Sequence, residues 1–179
     1  QLIAAMNPCR CGMAGEPGFA CRRGARCQSD YQARISGPLL DRIDMRIEVP
    51  AVSAADLIAP STAETSESVA KRVAAARDLQ RERYEDSAGA VLTNAAAPNA
   101  LIETLAAPDS AGAQLLQDAA EVKRFSARAY HRVLKVARTI ADLDGAAAVG
   151  RIHVAEAIAY RVAGERLSAV VRDGDSVAR

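Results

Sequence analysis

Residues 126–145 read SARAYHRVLKVARTIADLDG, and the fold class turns on this stretch. Tyr130, Val133, Leu134, Ala137, Ile140 and Ala141 recur at spacings of three and four, which puts them on one face of a helix. Ser126 suits an N-cap and Gly145 a helix stop, so both ends are marked. A helix this one-sided needs neighbours to cover its apolar face. Composition points to helices as those neighbours. Half of the 179 residues are hydrophobic, yet only 3% are aromatic and Trp is absent. Alanine carries much of the apolar count, and it favours helices while adding little to a pleated face.

Working outward, the next helix toward the C-terminus is expected after His153, with Val154, Ala157, Ile158 and Val162 inward. A polar tail follows over 166–179. On the other side, Asp109 is expected to cap a helix running to about Arg124. A shorter helix over 99–106 is closed by Pro108, and a long one starts near Ser66. That long helix puts Val69, Val73 and Ala76 on one face, with Leu79 nearby. The helical region is thus 66–165, behind a polar, Pro-containing connector over 53–65.

Residues 1–52 have another character. Gln1 to Met6 read as a short buried strand that stops at Asn7-Pro8. Met45, Ile47 and Val49 alternate with Arg46 and Glu48, the pattern of a half-buried strand ended by Pro50. Between them, Ser29 is expected to cap a helical turn or two, and Ser36-Gly37-Pro38 to open a short helix. The fold class is therefore mainly α, a bundle of about five helices preceded by two strands. Two strands rarely hold a sheet alone, so this region reads as the edge of a larger domain.

Net charge is +1, from 23 basic and 22 acidic residues, which excludes the global basic field of a dedicated nucleic-acid binder. No apolar run nears the roughly 18 residues that span a bilayer, and no secretory pattern is present. A cytoplasmic location without a membrane partner is expected, where cysteines stay reduced unless they hold a metal.

All four cysteines lie in the loop 8–28, spaced C-x-C-x9-C-x5-C: Cys9, Cys11, Cys21 and Cys27. Four thiolates can close a tetrahedral Zn²⁺ site and order a polar, Gly-containing loop. Arg10, Arg22, Arg23 and Arg26 favour thiolates electrostatically. The alternative is a set of free thiols in a loop.

The stretches AAMNPCRCG (4–12), RISGPLLDRIDMRIEVP (34–50), FSARAYHRVLKVARTIADL (125–143) and HVAEAIAYR (153–161) resemble the magnesium-chelatase-like AAA+ ATPases of the ComM type. The resemblance implies that 1–52 are the end of an α/β AAA+ core, keeping a two-strand remnant, and that 66–165 are its helical lid. It makes Asn7, in AMNP, the sensor that orients the attacking water at the γ-phosphate. It makes Arg42, in LLDRID, the arginine finger acting in trans, and Arg128, in SARAY, the second sensor, with Arg124, Arg132 and Lys135 near enough to compete for that assignment. By residue type alone, Arg42 reads as a surface ion pair with Asp41 or Asp44, and Arg128 as part of a solvated basic face. A helix N-terminus such as that of Arg128 attracts phosphate in its own right.

The implied cofactors are ATP and Mg²⁺, and the implied partners are further copies in a hexameric ring and DNA. The implied work is ATP-driven branch migration in natural transformation. A magnesium chelatase motor, driving metal into a porphyrin, is the alternative within the family. A zinc-stabilised nucleic-acid-binding module, contacting its ligand through the arginines of the cysteine loop, is a reading from another class. A helical module used only for oligomerisation is a third. The chain departs from the family in two respects. Arg10 stands where cysteine loops of the family usually carry Pro, and the second cysteine pair is more widely spaced. No G-x-x-x-x-G-K-[ST] and no Asp-Glu after a hydrophobic run are present. ATP hydrolysis is thus expected of the parent protein and not of this chain alone.

Overall fold

The structure is a computed structural model that describes residues 1–12, 21, 24, 26–50, 52, 57–58, 63–85 and 91–163. The tail 166–179, most of the connector 53–65, and Arg22 and Arg23 of the cysteine loop lie outside the described residues. The chain divides into two compact units. One holds Gln1–Ile43, Ile47–Ala59 and the residues from Val162; the other holds Asp44–Arg46 and Pro60–Arg161.

The first unit contains α1 (Arg26–Gln32) and α2 (Gly37–Leu40). Ser36 caps α2, its hydroxyl accepting from Leu39 N–H at 3.3 Å, and Pro38 sits in the first turn. Ser29 does not cap α1 as expected. It lies inside the helix, and its hydroxyl donates to the Arg26 carbonyl at 3.0 Å. The start is set upstream, where Cys27 N–H donates to the Gly24 carbonyl at 3.2 Å.

The two expected strands are corrected. Residues 1–6 and 45–49 carry no strand ladder among the described residues, and Leu2, Ile3, Ile47 and Val49 are exposed. Alternation fixes which side chains share a face, but a strand exists only when its N–H and C=O groups find a second strand. Arg46 N–H instead donates to the Tyr160 carbonyl at 3.0 Å. The mainly helical class stands.

The second unit contains α3 (Ser66–Tyr84), α4 (Asn99–Leu105), α5 (Ser110–Lys123), α6 (Ala127–Leu143) and α7 (Arg151–Val162). The helix α6 is central and packs against α3 and α4. Its Val133, Leu134, Ala137 and Ala141 are buried, with Ala137 and Ala141 at 0% exposure, so small residues let neighbouring helices approach. Ser126 caps it, accepting from Ala129 N–H at 3.1 Å. At its other end Gly145 takes φ 66°. Ala146 N–H then closes back on the Ala141 carbonyl at 2.8 Å and Gly145 N–H on Asp142 at 3.1 Å, a Schellman closure.

Asp109 caps α5 through Gly112 N–H at 2.7 Å. Gly112 is needed there, because an added Cβ would lie 3.0 Å from the Pro108 Cβ and 3.3 Å from a Val154 methyl. The helix α7 begins at Arg151, before His153. The His153 Nδ1 accepts from Gly150 N–H at 2.9 Å, closing the helix start. The expected inner face of α3 is shifted. Val69, Val73 and Leu79 are more than a third exposed, whereas Ala76, Gln80 and Tyr84 are buried. The C-terminal half of α3 makes the contact, and polar Gln80 belongs to it.

Candidate functional site

The helical unit carries a cleft of about 640 Å³ on the flank of α6. Arg128, Arg132 and Lys135 line it from α6, facing Asp44 and Met45. Ala95 and Asn99 lie on another side, and Glu156 and Tyr160 enter from α7. The three cations sit at i, i+4 and i+7, so one face of α6 presents them together over about 10 Å of helix axis.

Their partners differ. Arg128 is exposed and has no hydrogen-bond or ion-pair partner among the described residues. Arg132 Nη1 donates to Asp44 Oδ1 in an ion pair, while its buried Nε finds no acceptor. Lys135 Nζ donates to the neutral Ala95 carbonyl at 3.1 Å. Burial, and then the nearby Arg132 charge, hold the Lys135 pKa below the usual ammonium range. His131 places Nε2 2.6 Å from Glu103 Oε1 and Nδ1 2.6 Å from the Ala127 carbonyl. Arg46 Nη2 donates to the Arg161 carbonyl, so a cation meets the C-terminal end of α7. The Asp44–Arg132 ion pair and the bonds of Arg46 to the Tyr160 and Arg161 carbonyls thereby help to fasten segment 44–46 to the helical unit.

A buried polar network stands behind this wall. Asp142, with a fully buried side chain, accepts from Arg83 at 2.9 and 2.5 Å, from Asn94 at 2.8 Å and from Arg138 Nε at 3.0 Å. Asn94 also donates to Thr139, a cleft residue, at 3.0 Å and accepts from the Tyr84 hydroxyl at 2.8 Å. Arg138 reaches on to the Ala146 and Ala147 carbonyls at 2.6 and 2.9 Å. Burial pushes the Asp142 carboxyl up, but the bonds from Arg83 and Asn94 and the Arg138 charge outweigh it and hold the pKa below the usual range. Sequence reasoning did not find this network. One signal was present: Arg138 and Asp142 are opposite charges at i, i+4 within the otherwise apolar face of α6.

In the other unit, the four cysteine sulfurs lie within 4.8 Å of one another. Cys9 and Cys27 are buried, and Cys11 Sγ is 3.2 Å from both Cys9 Sγ and Cys21 Sγ. Two matching turns produce this. Gly12 N–H closes on Cys9 at 3.1 Å and Gly24 N–H on Cys21 at 2.8 Å, with φ of 78° and 71°. Only glycine adopts such angles readily, so each turn folds back beside its cysteine. Gln32 of α1 donates to the Pro8 carbonyl at 3.3 Å and ties the loop to the helix that holds Cys27. A tetrahedron with Zn–S near 2.3 Å spaces its sulfurs about 3.8 Å apart, which these separations bracket.

Asn7 is exposed, just before this loop, and Arg42 is tethered by a bond from Nη1 to the Pro38 carbonyl at 3.0 Å. Both belong to the first unit and Arg128 to the second. Among the described residues, no helix is long and apolar enough to cross a membrane.

The sequence model described as magnesium chelatase, subunit ChlI C-terminal, matches residues 63–161, and that of magnesium chelatase, subunit ChlI, matches residues 1–57. The chain is 40% identical over 162 residues to the competence protein ComM of Haemophilus influenzae, covering 90% of this chain and 30% of that protein. It is 35% identical over 168 residues to YifB of Escherichia coli, with 90% and 30% covered. It is 34% identical over 166 residues to an uncharacterized protein of Mycobacterium tuberculosis, with 93% and 32% covered. The chain thus spans about a third of the length of these relatives. With 63–161, more than half of the chain, matched by one model and 1–57 by the other, the chain belongs to the magnesium chelatase ChlI family, as a ComM/YifB-type AAA+ protein.

Proposed function

We propose that this chain is the part of a cytoplasmic, ring-forming ATPase motor that reads nucleotide state and completes the neighbouring active site while the motor works on DNA. The observation that carries the reading is the cleft in which Arg128, Arg132 and Lys135 converge from one face of α6. Three cations on one helix face repel one another, and a polyanion relieves that repulsion. In this reading 66–165 are the lid domain, and Arg128 contacts the γ-phosphate of ATP·Mg²⁺ held by the rest of the parent protein. Asn7 orients the attacking water. Arg42 reaches the site of the adjoining subunit, where a guanidinium stabilises the transferring phosphoryl group. Branch migration in natural transformation is the proposed task, in line with the competence name of the Haemophilus relative.

Cys9, Cys11, Cys21 and Cys27 fit a structural Zn²⁺, which would supply no chemistry beyond cross-linking the loop beside Asn7. The two ChlI matches favour one second reading, a motor that drives metal insertion into a porphyrin.

The test uses the full-length protein. Arg128→Ala is expected to lower ATPase and ATP-driven branch migration roughly tenfold or more, with ring assembly intact. Unchanged ATP hydrolysis would sink the sensor assignment. Stimulation by a porphyrin-metallating partner but not by branched DNA would favour the second reading.

A further inference from the structure

Asp44 occupies the cleft as a carboxylate fixed to a guanidinium. Its partner Arg132 stands one helical turn from Arg128, which has no partner among the described residues, and beside Lys135, which donates to the neutral Ala95 carbonyl. The pair is not a buried lock, because the Arg132 and Asp44 side chains are 26% and 57% exposed. An exposed pair of this kind is weak and yields readily to a better anion. Arg132 also keeps a buried Nε with no acceptor, so its donor capacity is not met by Asp44.

We propose that Arg132 is a second phosphate-contacting guanidinium of the cleft and that Asp44 is its internal competitor, displaced when the terminal phosphates of a nucleoside triphosphate enter. A phosphate group brings more negative charge than a carboxylate and more acceptor oxygens, and it accepts from Arg132, Arg128 and Lys135 together. Asp44 lies two residues after Arg42 in the chain. Displacing it removes the ion pair among the contacts that fasten segment 44–46, while the bonds of Arg46 to the Tyr160 and Arg161 carbonyls stay. Segment 44–46 is thus held more loosely to the helical unit when nucleotide is bound. This inference rests on the reading of the cleft as a nucleotide site.

The test is equilibrium binding of a fluorescent, non-hydrolysable ATP analogue to the full-length ring. Removing the competitor by Asp44→Asn is expected to tighten binding about two- to fivefold, a gain that a folding defect does not mimic. Arg132→Gln is expected to weaken binding roughly tenfold, and the double variant to show no gain over Arg132→Gln alone. If Asp44→Asn leaves affinity unchanged or lowers it, the inference falls. If Arg128→Ala weakens binding while Asp44→Asn and Arg132→Gln both bind as wild type, only this inference fails. If Arg128→Ala also binds as wild type, the nucleotide reading fails with it.

Discussion

Asp142→Ala is expected to be among the most destabilising single substitutions in the helical unit. The wild-type carboxylate accepts four bonds from Arg83, Asn94 and Arg138, and Arg138 is 2% exposed. Truncation leaves two guanidiniums facing a void. Breaking a buried ion pair by removing one partner costs about 3–5 kcal/mol. The lower part of that range applies, because Arg138 keeps the Ala146 and Ala147 carbonyls and Arg83 keeps Asn94. Against a typical domain stability of about 5–15 kcal/mol, a loss near 3–4 kcal/mol is large. With a urea m-value near 2 kcal/mol/M, the midpoint drops by roughly 1.5–2 M. The assay is urea denaturation followed by far-ultraviolet circular dichroism, repeated for Arg83→Ala and the double variant. The cycle should give a coupling of about 1 kcal/mol or more. A loss below about 1 kcal/mol, or additivity within experimental error, would refute the claim that this network holds α3, α6 and the loop at Asn94 together.

Three further outcomes follow from the same contacts. The Asp142 pKa is lowered in the folded state, so its contribution is present above the unfolded carboxylate pKa near 4 and lost as pH falls through the folded value. Wild type should therefore lose more stability than Asp142→Asn when denaturation is followed downward from about pH 4. Cys9→Ser, at a buried position of the cysteine cluster, should lower the zinc-to-protein ratio measured by atomic emission; equal metal content in the variant and wild type would exclude a four-cysteine site. Arg124 adopts φ 50° after α5, so Arg124→Gly should raise the thermal midpoint, with a gain near 1 kcal/mol.

The helical unit was legible because its signals are local. Ser126, Gly145 and Asp109 act as caps and stops where their types predict, and the apolar face of α6 is the buried one. The inner face of α3 was legible only at Ala76. Periodicity weighs Val69 and Val73 above Gln80, while the fold buries Gln80 to meet the Asn94 N–H at 3.2 Å. The pairing of Arg83 with Asp142 joins residues 59 positions apart, which no local pattern encodes. Strand assignments at 1–6 and 45–49 failed for the reverse reason, because alternation is local and ladder partners are not. The cysteine cluster was visible as composition. Its convergence depends on two glycine turns, at Gly12 and Gly24, whose left-handed backbone a spacing formula does not contain. Arg128 was singled out by resemblance, with Arg132 and Lys135 near it along the helix, whereas the arrival of Asp44 beside them needed the fold.

The most direct test of the motor reading is subunit complementation at Arg42. Full-length Arg42→Ala subunits should lose roughly 10³-fold or more in ATP hydrolysis while still forming rings. Full-length subunits lacking the Walker A lysine should be equally inactive. Mixed before assembly, the two inactive proteins should recover hydrolysis, because an intact phosphate cradle in one subunit meets an intact Arg42 from its neighbour. Mixed rings that assemble and stay inactive, or Arg42→Ala rings that hydrolyse ATP as wild type, would contradict it.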